Sequence, residues 1–399
     1  MISEAARPYI DASVPVLREH GLAITTHFYQ SMFAAHPELK NIFNMGNQAA
    51  GVQQQSLAAA VFAYAANYRN PDALTPVVER IVHKHASLGI TAEHYPIVGK
   101  HLLDAIQAVL GAAATPDLLA AWGEAYGVLA NVLIEAEKKL YAAAGVTPGE
   151  LQTLVVKEVR QESGNVKSFY LQTAEGKSPG HFLPGQYISV AGNVDGLRQL
   201  RQYSLSDSPD QPCWRISVKR EDETQPAGRI SNWLHDSIKA GDTLQTSVAF
   251  GDFKPAIEGE DPIVLLSAGV GITPMISVLN TLAARNPNRR VVFAHAARHG
   301  DHHPLRGDVR HARTRLKAMS EIQFYENPQA ADQVGVDYQH VGRMSLSKLG
   351  LDQVPDANIY LCGPSGFMQE QWKQLVGAGI APSRIHREVF GPDLLEHIL

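Results

Sequence analysis

The stretch Ala-Gly-Val-Thr-Pro-Gly at residues 144–149 divides the 399-residue sequence into two parts with different patterns. Glycine and proline at this density are typical of a turn or linker. The part before it is rich in Ala and Leu and repeats its apolar residues every three or four positions, which predicts helices. The part after it has short Val, Ile and Thr runs broken by Gly, Pro and Asp, which predicts strands.

A second change of pattern lies at residues 259–262, Gly-Glu-Asp-Pro. Short alternating strands come before it, and apolar strands followed by helices come after it. We therefore predict a multidomain protein with an all-α domain at residues 1–145, an antiparallel β domain at 150–257 and an α/β domain with a parallel sheet at 258–399.

The composition argues against several classes of protein. A formal net charge of -5 gives no basic surface for nucleic acid or an anionic membrane. No apolar run is long enough for a membrane span, and residues 1–4 lack the basic start of a signal peptide. Cys213 and Cys362 form neither a CxxC pair nor a CxxCH motif. We therefore expect a reduced cytoplasmic protein, in which any haem is held without thioether bonds.

Three apolar stripes of the predicted helices each contain one polar residue: Gln53, His85 and Glu137. A buried polar group without a partner costs about 1–3 kcal/mol, and an unpaired carboxylate costs more. His85 could therefore be a core histidine bonded to a backbone carbonyl, or a metal ligand. Gln53 could face water in a first helical turn, and Glu137 could lie in a frayed helix end.

The three polar residues also fit one common arrangement. A neutral imidazole can bind haem iron from one side, while a tyrosine and a glutamine donate hydrogen bonds to a ligand on the other side. A carboxylate and a second tyrosine can then hold the ligating histidine.

Four segments of the helical part, 36–45, 84–88, 95–103 and 121–130, resemble the globin domain of flavohaemoglobins. The resemblance implies that His85 binds the iron of a non-covalent haem b. It also implies the surrounding pocket: Tyr29, Gln53 and Leu57 on the distal side, Tyr95 and Glu137 bonded to the histidine, Phe43 packed on the haem, and Lys84 as a position that tunes the haem potential.

The β domain contains two signals for a flavin. In the motif Arg201-Gln202-Tyr203-Ser204, the guanidinium can bind phosphate, the phenol offers a flat face to a ring, and the hydroxyl donates a hydrogen bond. An ordinary strand with one exposed arginine is the alternative. Gly228 and Ser231 stand just before an apolar helical stretch, which is typical of an anion site at a helix N-terminus.

Together with residues 184–187, which end in Tyr187, these signals resemble the FAD barrel of the ferredoxin–NADP reductase superfamily. The resemblance implies that Arg201 and the Gly/Ser turn hold the flavin phosphates, and that Tyr203 lies against the isoalloxazine.

The α/β region begins with a strand at residues 262–266, followed by Gly269-Val270-Gly271-Ile272-Thr273-Pro274. The glycines allow a tight turn, Pro274 suits a first helical position, and a dinucleotide pyrophosphate can lie on the helix N-terminus. A structural turn is the alternative, because a lone Gly-x-Gly is a weak motif.

Two later segments, Cys362-Gly363-Pro364 and Glu388-Val389-Phe390-Gly391-Pro392, extend the resemblance to the same superfamily. It implies a nicotinamide near the Cys-Gly-Pro turn and Phe390 over the flavin.

Two expectations concern the surroundings of the nucleotide. The strand at 291–297 ends at Arg298, and a single arginine there is a poor clamp for a 2′-phosphate, which predicts NADH in preference to NADPH. His299, His302 and His303 lack the spacing of a metal site and are expected in a solvated loop. Residues 146–151 replace the Gly-Gly-Trp usual in the family, so the packing between domains is left open.

A physical reason connects the three domains. A hydride carries two electrons, haem iron accepts one at a time, and a flavin converts between the two modes. The resemblance implies a monomeric nitric oxide dioxygenase that forms nitrate from NO and O2 with electrons from NAD(P)H. A sensor globin that binds oxygen, and a reductase of alkyl hydroperoxides or other acceptors, are the alternatives. The sequence leaves open whether lipid occupies the distal pocket.

Overall fold

The computed structural model describes residues 2–194, 196–223 and 226–391. Its helical part contains α1 (Arg7–Ala35), α2 (Met45–Ala49), α3 (Val52–Asn67), α4 (Pro71–Leu88), α5 (His94–Leu110) and α6 (Pro116–Ala144). Helix α1 packs against α3 and α5, and α4 packs against α6. This arrangement confirms the predicted all-α domain.

The helix ends follow from particular residues. Helix α4 stops at Gly89, whose φ of 77° is a left-handed conformation that glycine adopts without strain. The N–H of Ile90 then donates to the carbonyl of His85 at 3.1 Å, so the last turn is closed. Helix α6 begins where the Thr115 side chain accepts from the N–H of Leu118 and ends at Gly145, with φ 68°.

Helix α1 buries one face in the helical core. Ile24, Phe28, Tyr29 and Met32 are buried, whereas Leu22 on another face of the helix is 50% exposed.

The second part is an antiparallel barrel. Its strands are β1 (Gln152–Ser163), β2 (Val166–Gln172), β3 (Tyr187–Val194), β4 (Leu197–Ser204), β5 (Trp214–Lys219) and β6 (Thr243–Thr246), in the order β4-β3-β6-β1-β2-β5. A bridge between Leu205 and Ile216 joins the end of β4 to β5 and closes the sheet. Helix α7 (Arg229–Ser237) inserts Ile230 and Leu234 into the barrel core.

The third part is a parallel sheet with helices on both faces. It contains β7 (Ile263–Ala268), α8 (Ile272–Arg285), β8 (Arg290–Ala297), α9 (Arg306–Arg315), β9 (Ala318–Tyr325), β10 (His340–Val341), β11 (Asn358–Cys362), α10 (Ser365–Gly377) and β12 (Ile385–Glu388). Strand β7 is entirely buried, with Ile263 and Leu265 packed beneath α8 and Val264 and Leu266 in the opposite layer.

The strands of this sheet lie side by side in the order β10-β9-β8-β7-β11-β12. The side on which the chain adds new strands changes at β7. The chain builds outward from β7 through β8, β9 and β10, and then returns to the other side of β7 with β11. In open α/β sheets, ligands bind at such a switch point, outside the carboxyl ends of the strands. The two segments at this point are the Gly-x-Gly turn after β7 and the Cys-Gly-Pro turn after β11.

Helix α6 is both long and apolar. Among the described residues, α6 is long and apolar enough to cross a bilayer by length and composition, although no such run was expected from the sequence. Core helices of soluble proteins pass the same test, and α6 packs against α1, α4 and α5 with Trp122 and Leu133 buried.

The end of α4 also packs on the linker. A Cβ added to Gly89 would lie 2.5 Å from the Cα of Gly149, so the two backbones touch and leave no room for a side chain. Glycine at residue 89 therefore terminates the helix and admits the linker that leads into the barrel.

We expect Gly89→Ala to destabilise the protein more than Gly145→Ala. Both glycines have positive φ, so each alanine costs about 1–2 kcal/mol of backbone strain. Gly145 faces open space, whereas Gly89 meets the backbone of Gly149. Urea unfolding of the full chain, followed by far-UV circular dichroism, should show the larger loss for Gly89→Ala. Equal losses in the two variants would contradict the packing argument.

Candidate functional site

The imidazole of His85 is held by two side chains. Its Nδ1 lies 2.8 Å from Oε1 of Glu137 and 3.1 Å from the hydroxyl of Tyr95. Because a carboxylate accepts hydrogen bonds, this contact favours a hydrogen on Nδ1 and leaves the lone pair on Nε2. Nε2 is then the nitrogen available to a metal.

Glu137 is 3% exposed and lies well inside α6, which continues to Ala144, so it is not in a frayed helix end. The hydroxyl of Tyr95 donates to the same carboxylate oxygen at 2.5 Å. Burial, and after it this bond to Glu137, raises the pKa of Tyr95 far above its usual range, so the phenol remains a donor. The carboxylate therefore has the partners that its burial requires.

A second group of polar side chains lies on α1, α2 and α3. Tyr29 is buried, and its ring contacts those of Phe33 and Phe43 at centroid distances of 5.8 Å each. Burial raises the pKa of Tyr29 to about 12, and hydrogen bonding to Gln53 and Gln48 acts in the opposite direction. Gln53 is in the first turn of α3, which was one alternative for this residue. It is half-buried, however, and its side chain forms a hydrogen bond with Tyr29.

The surroundings of these groups fit a haem. Several apolar side chains pack at the edges of the two helical clusters and are only half-buried, namely Phe43, Leu57, Val61, Ile81, Val78 and Val98. A free imidazole nitrogen, apolar walls and protonated donors on separate helices are the set that haem iron and a small ligand require. The residues present therefore suit the group.

The barrel residues fit a flavin phosphate. The guanidinium of Arg201 donates to the carbonyl of Leu200 at 2.7 Å and to Oε1 of Gln199 at 3.3 Å, both neutral oxygens. Burial lowers the pKa of Arg201, and no carboxylate among the described residues acts to raise it. The hydroxyl of Ser204 is also buried, and none of the described residues forms a hydrogen bond with it. A phosphate would supply the charge and acceptors that these groups lack.

Other predicted flavin residues surround this position. Strand pairing places Tyr187 opposite Ser204, and Tyr203 is half-buried beside the barrel core. Gly228 precedes α7, and Ser231 is the third residue of the helix rather than a residue before it. Its hydroxyl donates to the carbonyl of Gly228 at 3.2 Å, which keeps the first turn tight.

The structure brings together the two turns of the α/β domain. A Cβ on Gly271 would collide with the carbonyl of Cys362, and one on Gly363 would approach Ala268 at 3.1 Å. Gly269 and Gly271 form a short 3-10 turn before α8, so Val270 lies in the turn and Pro274 is the third helical residue, not the first. The first four N–H groups of a helix lack intrahelical partners, so proline is tolerated there too.

Residues that precede and follow this point complete the candidate nucleotide site. Ile272 and Thr273 form the buried start of α8, and Pro364 caps α10. Strand pairing places Glu388 opposite Cys362. Burial, and after it the charge of Glu388, raise the pKa of both Tyr187 in the barrel and Cys362 in the parallel sheet.

The C-terminal segment reaches the helical domain. Val389 packs on the sheet, Phe390 is 41% exposed, and the carbonyl of Gly391 accepts a hydrogen bond from Lys84 on α4. Pro392, which was predicted to belong to this segment, lies outside the described residues.

Helix α4 contacts both other domains, which the sequence did not predict. Arg80 pairs with Asp252 at 3.4 Å and donates to the carbonyl of Arg387. On the barrel side, Nδ1 of His83 accepts from the N–H of Gly251 at 3.0 Å, and Gln202 donates to Ser87 at 3.0 Å. These contacts join residues far apart in the sequence, and no periodic pattern marks them.

Arg298 and three nearby histidines lie in the segment that follows β8. Arg298, at the end of β8, forms an exposed ion pair with Glu223 at 3.2 Å. His303 is buried rather than solvated, because its Nδ1 bonds the hydroxyl of Tyr325 at 2.9 Å and its ring contacts that of His295. His299 and His302 are half-buried.

Comparison with known families assigns each of the three parts. The Globin family matches residues 26–133, the Oxidoreductase FAD-binding domain matches 153–254, and the Oxidoreductase NAD-binding domain matches 265–373. The fold and the cofactors thus define a haem- and flavin-containing oxidoreductase.

Full-length relatives specify the family further. A flavohemoprotein from Chromobacterium violaceum is 50% identical, with 98% of each chain covered, and one from Bacillus subtilis is 42% identical, with 99% of this chain and 98% of the relative covered. A solved flavohemoglobin from Malassezia yamatoensis with bound FAD and haem has a TM-score of 0.85 and 32% identity, and the match covers 98% of this chain and 100% of that one. The chain belongs to the flavohemoprotein family.

We expect Glu137→Gln to retain haem but to raise its midpoint potential. The substitution keeps the shape and removes the charge that favours the ferric state through His85. A charge-assisted hydrogen bond contributes about 1.5–3 kcal/mol, so the rise should be on the order of 100 mV. Spectroelectrochemical titration measures it.

The matched control is Glu135→Gln, an exposed residue of the same helix that pairs with Lys138. The haem midpoint potential of Glu135→Gln should equal that of the unmodified protein. Identical potentials in all three proteins would remove the support for a proximal role of Glu137.

Proposed function

We propose that the protein is a nitric oxide dioxygenase, which converts NO and O2 into nitrate with electrons that pass from NAD(P)H through FAD to haem, and so detoxifies nitric oxide in the cytoplasm. The observation that carries the proposal is that α4 bears His85 and contacts the flavin barrel directly, through Gln202 and Gly251. A passive oxygen sensor has no need of a sustained electron supply at this position.

A solved relative supports the reaction. The FAD/NAD-binding domain of a nitric oxide dioxygenase from Vibrio cholerae is 38% identical over 60% of this chain, with a TM-score of 0.55. It corresponds to the reductase part of this protein, which is the part that would renew the electrons.

The reductase residues would bind and align two cofactors. Arg201, Ser204 and the N-terminus of α7 would hold the flavin phosphates, and Tyr203 would lie against the flavin ring. The turns at Gly269–Gly271 and Cys362–Pro364 would receive the nicotinamide nucleotide at the switch point of the sheet. When bound, FAD accepts a hydride and passes single electrons to the haem.

The globin residues would control both sides of the haem iron. Glu137 and Tyr95 hold the His85 ring through its Nδ1, so Nε2 takes no part in these hydrogen bonds. Tyr29 remains protonated at physiological pH, because its pKa is about 12, and can therefore donate a hydrogen bond to a ligand with anionic character. Gln53 supplies a second donor beside it.

The decisive experiment is the nitrate yield per NADH oxidised under O2 and NO. Each nitrate formed from NO and O2 takes up one electron, so we expect about two nitrates per NADH. An alkyl hydroperoxide reductase would consume NADH with its peroxide substrate and form no nitrate, and a sensor globin would sustain no turnover.

The matched variant is His85→Ala, which should keep FAD, lose most of its haem and still reduce an artificial electron acceptor. Nitrate formation should disappear in this variant. Undiminished nitrate formation without haem would contradict the proposed chemistry.

We also expect NADH to be preferred over NADPH, because Glu223 already neutralises the single arginine at the end of β8. Glu223→Gln should release Arg298 and raise kcat/KM for NADPH relative to NADH by about three- to tenfold, a modest factor because the pair is exposed. Asp222→Asn removes a charge from the same loop without touching Arg298 and should leave the ratio unchanged. An NADPH preference in the unmodified protein would contradict this prediction.

A further inference from the structure

Gln199 on β4 is a buried side chain that joins the barrel to the helical domain. It is 1% exposed, and its Nε2 donates to the carbonyl of Lys40 at 2.7 Å. Its Oε1 accepts from the N–H of Met45 at 3.5 Å. The neighbouring Arg198 donates its N–H to the side chain of Asn41 at 3.1 Å, so β4 is bonded to the segment 40–45 at several points.

That segment forms one wall of the candidate haem pocket. It contains Phe43 and leads directly into α2, which carries Gln48 beside Tyr29. The N-terminus of α2 is closed by Asn44, whose side chain accepts from Gly46 and Asn47. A shift of this segment would therefore move residues on the distal side of the pocket.

On the other side, Gln199 contacts the candidate phosphate ligand. Residues 199 and 201 lie on the same face of β4, because strand side chains alternate. Both terminal nitrogens of the Arg201 guanidinium donate to Oε1 of Gln199 at 3.3 Å. One amide oxygen is thus shared between a flavin-binding arginine and the first turn of α2.

Arg201 and the N–H of Met45 compete for the side-chain oxygen of Gln199. An amide oxygen has two lone pairs, and Oε1 receives two bonds from Arg201 and one from Met45. A phosphate is a stronger acceptor for a guanidinium than a neutral amide. A flavin phosphate bound to Arg201 would release Oε1 to the Met45 N–H, while Nε2 would keep its bond to the Lys40 carbonyl.

We propose that Gln199 is a positioning residue that couples FAD binding to the haem pocket, so that each cofactor strengthens the binding of the other. The inference depends on the proposed roles of Arg201 and Phe43, and it does not depend on the reaction with nitric oxide. Because coupling between two binding sites is reciprocal, the factor by which haem tightens FAD equals the factor by which FAD tightens haem.

The test measures the FAD dissociation constant of the full-length chain with and without haem, and the rate of haem transfer to an excess of apomyoglobin with and without FAD. In the unmodified protein, haem should lower the dissociation constant for FAD by about fivefold or more, and FAD should slow haem transfer. In Gln199→Leu, haem should no longer change the FAD dissociation constant, and FAD should no longer change the rate of haem transfer. Each cofactor should still bind.

The control is Gln371→Leu, which removes another buried glutamine whose Nε2 bonds the carbonyl of Met344 within the α/β domain. It should keep the full coupling. If Gln199→Leu does not fold, Gln199→Met keeps an unbranched side chain of similar size while removing both the donor to Lys40 and the acceptor that Arg201 and Met45 share, and it should also lose the coupling.

An absence of coupling in the unmodified protein, or full coupling in the foldable Gln199 variant, would overturn the inference. Nitrate yield per NADH is measured on the same proteins. A failure of the coupling would leave that yield unchanged, and a failure of the proposed reaction would leave the coupling factors unchanged, so the two outcomes are distinguishable.

Discussion

The position of α4 is the constraint on which the rest of the structure depends. This helix carries His85 toward the candidate haem pocket, while other side chains of the same helix pack on the two other domains. Its polar residues are divided between these two roles: His85 bonds to Glu137 and Tyr95, whereas Arg80, His83 and Ser87 bond to the reductase part. Between the helical domain and the barrel lies an apolar cluster of Ala86, Tyr141, Tyr187 and Phe250.

A second contact fixes the two reductase domains to each other. Arg215 of β5 is 3% exposed and bonds to Asp308 of α9 at 2.7 Å, with Asp207 at 3.8 Å. Asn280 of α8 donates to both carboxylates at 2.8 Å. Burial acts to lower the pKa of Arg215, but the attraction of Asp308 and Asp207 together outweighs burial and raises the pKa, so the charged group has partners inside this interface. The nucleotide domain is thereby held against the flavin barrel.

Sequence patterns predicted those features whose cause is local. The apolar repeat of three or four residues was enough to predict the all-α domain, and the cost of burying an unpaired carboxylate led to the expectation that Glu137 has a partner. Contacts between domains have no such signature. Gln199 is one glutamine in a strand, and nothing in its neighbours reveals that Lys40 and Met45 lie opposite. The burial of His303 likewise depends on Tyr325, 22 residues further along the chain. The assigned roles of the haem, flavin and nucleotide residues remain predictions.

The contact between Gly89 and Gly149 has a consequence for how electrons travel. A linker that leaves α6 at Gly145 and packs on the end of α4 at Gly149 keeps the helical domain and the reductase part side by side. Separate electron-transfer partners must collide, so their exchange depends on concentration and on salt screening. In the proposed function the two halves already touch within one chain, so delivery of electrons to the haem would be a first-order process, independent of the protein concentration.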